Sequence, residues 1–221
     1  MMTGNDCIGC SDCPLEIKRP DNFYEIHITV KLKKSLDDFK EFCQKIDVKP
    51  ILIELEGEPE QVMISAIRKF GDTRVSMVLE SNDVVMKFRE AGYKVLREKI
   101  ELSPWHVLTP SSQNSQKVEY GKYFEGHLKI NLKSDEEHAV LKNACSFYNL
   151  HLSKNAFKKD SGSFTYMATG RSKDENIEAF KERMAGSMEA LKARGYDVQK
   201  SIIEYTWYDS NIYLDGNWAK I

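Results

Sequence analysis

Apolar and polar residues alternate from Tyr24 to Leu32. Ile26, Ile28, Val30 and Leu32 fall on one side, and Glu25, His27, Thr29 and Lys31 on the other. A period of two predicts a strand with one buried face. Ser35 then opens a stretch in which Leu36, Phe39, Phe42 and Ile46 recur at helical spacing. Ile51-Leu52-Ile53 and Val62-Met63-Ile64 predict two strands around a Gly57-Glu58-Pro59 turn. The next helix ends at Gly92, although Arg74 to Glu80 alone also reads as strand, and a last strand follows.

The same succession then returns. Phe124 to Leu132 repeats Tyr24 to Leu32, with His127 standing where His27 stands. Gly195-Tyr196-Asp197-Val198 and Ile203-Glu204 repeat Gly92-Tyr93-Lys94-Val95 and Ile100-Glu101. Ser134-Asp135-Glu136-Glu137 is a capping-box sequence ahead of Val140, Leu141 and Ala144. Ile177, Phe180, Met184, Met188 and Leu191 form one apolar stripe, and Gly195 sits where a helix C-cap glycine belongs. The order strand, helix, strand, strand, helix, strand, twice over, predicts an α+β fold built by tandem duplication of a ferredoxin-like (βαββαβ) unit.

That order sets the expected boundaries on the 221-residue chain. A flexible Cys-containing N-terminal tail covers 1–20, lobe 1 covers 21–102, a polar linker 103–119, lobe 2 120–206, and an aromatic C-terminal tail 207–221. Each lobe is small for a core of its own, so the two are expected to fold against each other across a polar cleft.

Charge narrows the function classes. Thirty-two Lys and Arg against 34 Asp and Glu give a net charge of -2, without the excess of basic residues that a binder of bulk nucleic acid needs. No apolar run approaches the roughly 20 residues of a membrane helix. The first residues lack the basic flank and apolar core of a secretory signal. With 5 cysteines, an odd number, these features predict a soluble cytoplasmic protein. Cys7, Cys10 and Cys13 form a CxxCxxC run, one thiolate short of a cubane cluster and without an evident fourth ligand for zinc. A reducible tail is the simpler reading. Neither a phosphate loop nor a dinucleotide fingerprint occurs.

The candidate chemistry lies on the polar faces of the two repeated strands. Glu25, His27, Thr29 and Lys31 match Glu125, His127, Lys129 and Asn131. In the expected unit the first and last strands are neighbours, which brings Glu101 and Glu204 towards the histidines. Carboxylates near an imidazole raise its pKa into the range of acid–base work near neutrality.

Three functions follow. His27-Ile28-Thr29 has the HxT form and resembles the two-histidine phosphoesterase superfamily, whose two lobes each bring such a motif to a shared cleft. The resemblance implies a phosphodiesterase-like hydrolase without a cofactor, acting on a small anionic ligand or nucleotide. It makes His27 and His127 the acid and base, and Thr29 and Lys129 the holders of the phosphate, with Lys129 in place of the second hydroxyl. Glu25, Glu125, Lys31 and Arg97 would complete the binding face. A second reading is a divalent-metal enzyme with His27, Glu101, His127 and Glu204 as ligands. That set is similar to the vicinal oxygen chelate superfamily, whose modules run strand, helix, then three strands. The third is a non-catalytic ligand- or protein-binding module of duplicated lobes. His106, His138 and His151, which lack counterparts, are assigned to the surface or the linker.

Overall fold

A computed structural model of the chain describes residues 23–55, 61–69, 73–110, 121–155 and 164–216. The expected cysteine tail, the Gly57-Glu58-Pro59 turn and most of the expected linker lie outside the described residues. The elements of the first half are β1 (Phe23–Lys31), α1 (Leu36–Lys45), β2 (Lys49–Leu55), β3 (Gln61–Lys69), α2 (Arg74–Glu90) and β4 (Lys94–Leu102). Those of the second are β5 (Tyr123–Leu132), α3 (His138–Phe147), β6 (His151–Asn155), β7 (Phe164–Ser172), α4 (Ile177–Ala193) and β8 (Asp197–Asp209).

The expected pair of ferredoxin-like lobes facing each other across a cleft does not form. Strands run in the order β4-β1-β3-β2 in one half and β8-β5-β7-β6 in the other, but the outer strands do not remain edges. β2 pairs with β6 through Ile53 to Leu55, and β4 pairs with β8 through Lys99 to Leu102. Every pairing is antiparallel, and together they close one eight-stranded barrel. Closure removes the unpaired backbone N–H and C=O groups that four open edges would present. The polar faces therefore line a barrel interior, while Ile26, Ile28 and Val30 join the core beneath the helices.

Local chemistry sets the helix ends. Ser35 caps α1, its hydroxyl accepting from the Asp38 N–H at 3.1 Å while Asp38 accepts from the Ser35 N–H at 3.1 Å, a complete capping box. The box expected at Ser134 takes another form: the Ser134 hydroxyl accepts from the Glu136 N–H, a short 3-10 turn spans Asp135–Glu137, and α3 starts only at His138. Arg74 to Glu80 is helix, the opening of α2 behind its Thr73 cap. Gly92 and Gly195 close α2 and α4 with φ of 81° and 89°, a left-handed conformation that glycine adopts without a Cβ clash.

Each half packs its helices through an aromatic cluster. Phe42 lies edge-on to Phe88 at 5.1 Å, with Phe39 and Tyr93 alongside, and Phe124 stacks on Phe180 at 5.8 Å. The second half also uses glycine to draw α4 close. Gly126 pairs with Gly170 across β5 and β7, where the first half has Ile26 paired with Ala66. A Cβ on Gly126 would meet the Met184 side chain at 2.8 Å, and one on Gly170 would meet Leu150 at 2.9 Å.

β8 runs on through Trp207 to Asp209, past the boundary expected after residue 206. Ser103 and His106, in the turn after β4, are buried. No helix among the described residues is long and apolar enough to cross a membrane.

Candidate functional site in the barrel interior

Register decides which side chains face inward. On β1 these are Glu25, His27 and Thr29, opposite Ser65 and Met63 on one side and Glu101, Lys99 and Arg97 on the other. On β5 they are Tyr123, Glu125, His127 and Lys129, opposite Arg171, Thr169 and Met167 on β7 and Thr206, Glu204, Ile202 and Lys200 on β8. The faces that carry His27 and His127 thus meet inside one closed wall.

His27 and Glu101 form the tightest histidine contact, with Nε2 2.8 Å from the Glu101 carboxylate and 3.5 Å from that of Glu25. The hydroxyl of Ser65 donates to Glu25. On the other wall His127 Nε2 lies 3.5 Å from Glu204 and 3.7 Å from Glu125, and its Nδ1 meets the Thr169 hydroxyl at 2.9 Å. Glu101 joins the two halves: it, Glu125 and His127 each offer a ligand-type atom, all within 4.8 Å of one another. Both imidazoles keep some exposure, 13% of the side chain for His27 and 20% for His127.

Charge holds these groups in place. Lys99 reaches from β4 to Glu125 at 2.6 Å and also contacts Glu101, so one ammonium bridges carboxylates from both halves. Arg171 pairs with Glu125 at 3.3 Å. Arg97 is held on one edge by Asp209 and on the other by Asp215. Burial alone would neutralise Glu101, but Lys99 and His27 outweigh it and hold its pKa well below the usual carboxylate range. Burial likewise opposes ionisation of Glu125, which Arg171 and Lys99 overcome, lowering its pKa to about 2. Burial works against protonation of both histidines too. Glu101 and Glu25 raise His27 above its usual value, and Glu204 and Glu125 do the same for His127.

Among the side chains sealed inside, Glu25, Glu101, Glu125, Glu204, Asp209 and Asp215 face Arg97, Lys99 and Arg171, with the half-buried Lys129 and Lys200 in the same inward rows. Three interior atoms, His27 Nδ1, Thr29 Oγ1 and Thr206 Oγ1, are buried without a hydrogen-bond partner among the described residues.

The sequence-derived candidates divide accordingly. His27, His127, Glu25, Glu125, Glu101 and Glu204 come together in one interior, with Thr29 on the same strand face. Lys129 is half-buried in the same row, and Lys31 is exposed at the strand end. Arg97 lies inside, but its guanidinium is committed to Asp209 and Asp215. As for a metal, Glu101, Glu125 and His127 are the residues placed to share one, and Lys99 already sits between the two carboxylates.

Several interior residues escaped the sequence reading. Tyr123 donates its hydroxyl to Asp209 at 2.7 Å, Arg171 anchors Glu125, and Thr169 meets His127. His151, assigned to surface or linker, lies in the strand row opposite Thr169. His106 is buried, with Nδ1 accepting from the Leu108 N–H at 3.1 Å. Thr169 and Arg171 on β7, and Glu204 and Thr206 on β8, alternate with Ala168, Gly170, Ile203 and Tyr205, and that local alternation was the available signal.

No family model and no curated protein matches the chain. Among solved structures, one described as a putative chlorite dismutase is similar at 13% identity and a TM-score of 0.28, covering 88% of this chain and 98% of that one. A mutant chlorite dismutase from Candidatus Nitrospira defluvii is similar at 8% identity and a TM-score of 0.28, covering 91% of this chain and 97% of that one.

Proposed function

We propose that the barrel interior is an acid–base site that moves a proton to or from a small polar substrate, with His27 as the reacting imidazole and His127 as its partner. The observation that carries this reading is the asymmetric environment of His27. Glu101 takes a hydrogen bond from Nε2 at 2.8 Å, while Nδ1 is buried with no partner among the described residues. A carboxylate on Nε2 fixes the tautomer whose lone pair is on Nδ1, which makes that atom a base oriented by a third group. Lys99 keeps Glu101 ionised. Thr29 adds a hydroxyl on the same strand face, also without a partner among the described residues.

A neutral substrate suits the interior, because its buried carboxylates are already paired with Arg97, Lys99 and Arg171. A phosphoester would rely on Thr29 and the half-buried Lys129, since Arg97 and Lys99 are committed to carboxylates. The metal alternative is weakened by Lys99, whose ammonium supplies the positive charge that Glu101 and Glu125 would otherwise draw from an ion.

The test compares wild type with His27→Gln on neutral esters, enolisable carbonyl compounds and cyclic phosphodiesters. Turnover of a neutral substrate is expected, with a loss of about 10²-fold or more in the variant, the usual weight of one general base. Ligand binding without turnover in wild type, or turnover unchanged by His27→Gln, would replace this reading with the non-catalytic binding module.

A further inference from the structure

After β8 the chain makes a short 3-10 turn, Ile212–Asp215, across one end of the barrel. Ile212 and Asp215 are buried, whereas Tyr213 between them is exposed. Arg97 Nη1 donates to both Asp215 oxygens at 2.8 and 2.9 Å, Arg171 donates to the same carboxylate, and Gln61 Nε2 adds a bond at 3.1 Å. Gln61 also donates to the Leu214 carbonyl at 2.9 Å.

The donors come from both halves of the barrel, Arg97 on β4, Arg171 on β7 and Gln61 on β3. The two guanidiniums are also held by groups outside the turn. Asp209 holds the far edge of the Arg97 guanidinium, and the Tyr123 ring lies 4.8 Å from that of Arg171. Two planar guanidiniums and a carboxamide converging on one point form a donor set matched to a carboxylate. The turn itself is weak: four residues of 3-10 helix have poor internal hydrogen bonding. Ser210 N–H to the Glu98 carbonyl at 2.9 Å anchors its start, and Gly216 ends it at φ of 84°.

We infer that Arg97, Arg171 and Gln61 form a carboxylate-binding subsite at this end of the barrel, and that Asp215 fills it as a ligand tethered to the chain. The Ile212–Asp215 turn is then a strap over the interior, and the carboxylate group of a small molecule fits the same donors when the strap lifts. This inference stands apart from the acid–base reading, because it involves neither histidine.

Full-length Asp215→Ala tests it by chemical rescue. Its thermal midpoint should fall below wild type and then rise saturably with millimolar formate, but not with chloride at equal ionic strength. Wild type, whose tethered carboxylate outcompetes the free ion, should not respond. A variant that responds to formate and chloride alike would overturn the subsite. If the variant fails to fold in plain buffer, refolding from urea in formate and in chloride decides the matter. Recovery in formate alone supports the site, and failure in both overturns it.

Discussion

Lys99 of the first half hydrogen-bonds Glu125 of the second, Nζ to Oε2 at 2.6 Å, in the interior of the barrel. The same ammonium contacts Glu101, so a single cation holds a carboxylate from each half. Removing it leaves Glu101 without its ammonium partner and Glu125 with Arg171 alone. Lys99→Met is therefore expected to destabilise the protein by about 3–5 kcal/mol, the usual consequence of breaking one side of a buried ion pair. Urea unfolding measures this, and a loss no larger than the roughly 1 kcal/mol of an exposed pair would show the bridge to be unimportant.

Stability should have a maximum on the acid side of neutrality. His27 and His127 bind a proton more tightly when folded, so their contribution is complete below the ordinary 6.5 and is lost as pH rises through the raised folded values. Glu125 behaves oppositely: lowered from 4.5 to about 2, it contributes fully above 4.5 and loses that contribution as pH falls. The urea midpoint is expected to peak between these limits. A midpoint still climbing at about pH 8 would contradict the assignment of raised values to both histidines.

The glycine pair under α4 gives a graded test of packing. Gly126→Ala meets only the flexible Met184, whereas Gly170→Ala meets Leu150 as well as Met184. Gly170→Ala should cost about 1–3 kcal/mol, typical of overpacking, and Gly126→Ala less. The reverse order in thermal or urea unfolding would show that α4 does not sit this close to the sheet.

Two cysteines should be inert while the protein is folded. Cys43 and Cys145 lie on the buried faces of α1 and α3, and burial pushes each thiol up to about 12. Thiolate is the reacting species, so neither should be alkylated under native conditions, and both should react in urea. Peptide mapping after native alkylation checks this, and modification of Cys43 without unfolding would be the contrary result.

The sequence made the local elements and the central histidines legible for identifiable reasons. Ile26, Ile28 and Val30 alternate cleanly, Gly92 and Gly195 punctuate two helices, and duplication placed His127 opposite the position of His27. Barrel closure was hidden because it depends on a short pairing, Ile53 to Leu55 with Ser153 to Asn155, that no periodicity encodes. The charged network was hidden because duplication does not extend to it. Lys99 stands where the second half has Ile202, and Arg171 where the first half has Ile67. Searching for matched pairs therefore found the imidazoles and the glutamates beside them, and missed Arg171, which has no counterpart in the first half. Asp215 follows the last strand and becomes meaningful only once the chain folds back over the barrel end.

The measurement that reaches the central claim most directly is an NMR titration of the two imidazoles in wild type and in Glu101→Gln. The account requires His27 to titrate above the ordinary 6.5 in wild type and to fall in the variant, with proton density on Nε2 in the neutral form. His27 titrating at or below that value, or unchanged by Glu101→Gln, would contradict an imidazole oriented by Glu101 with Nδ1 presented as the base.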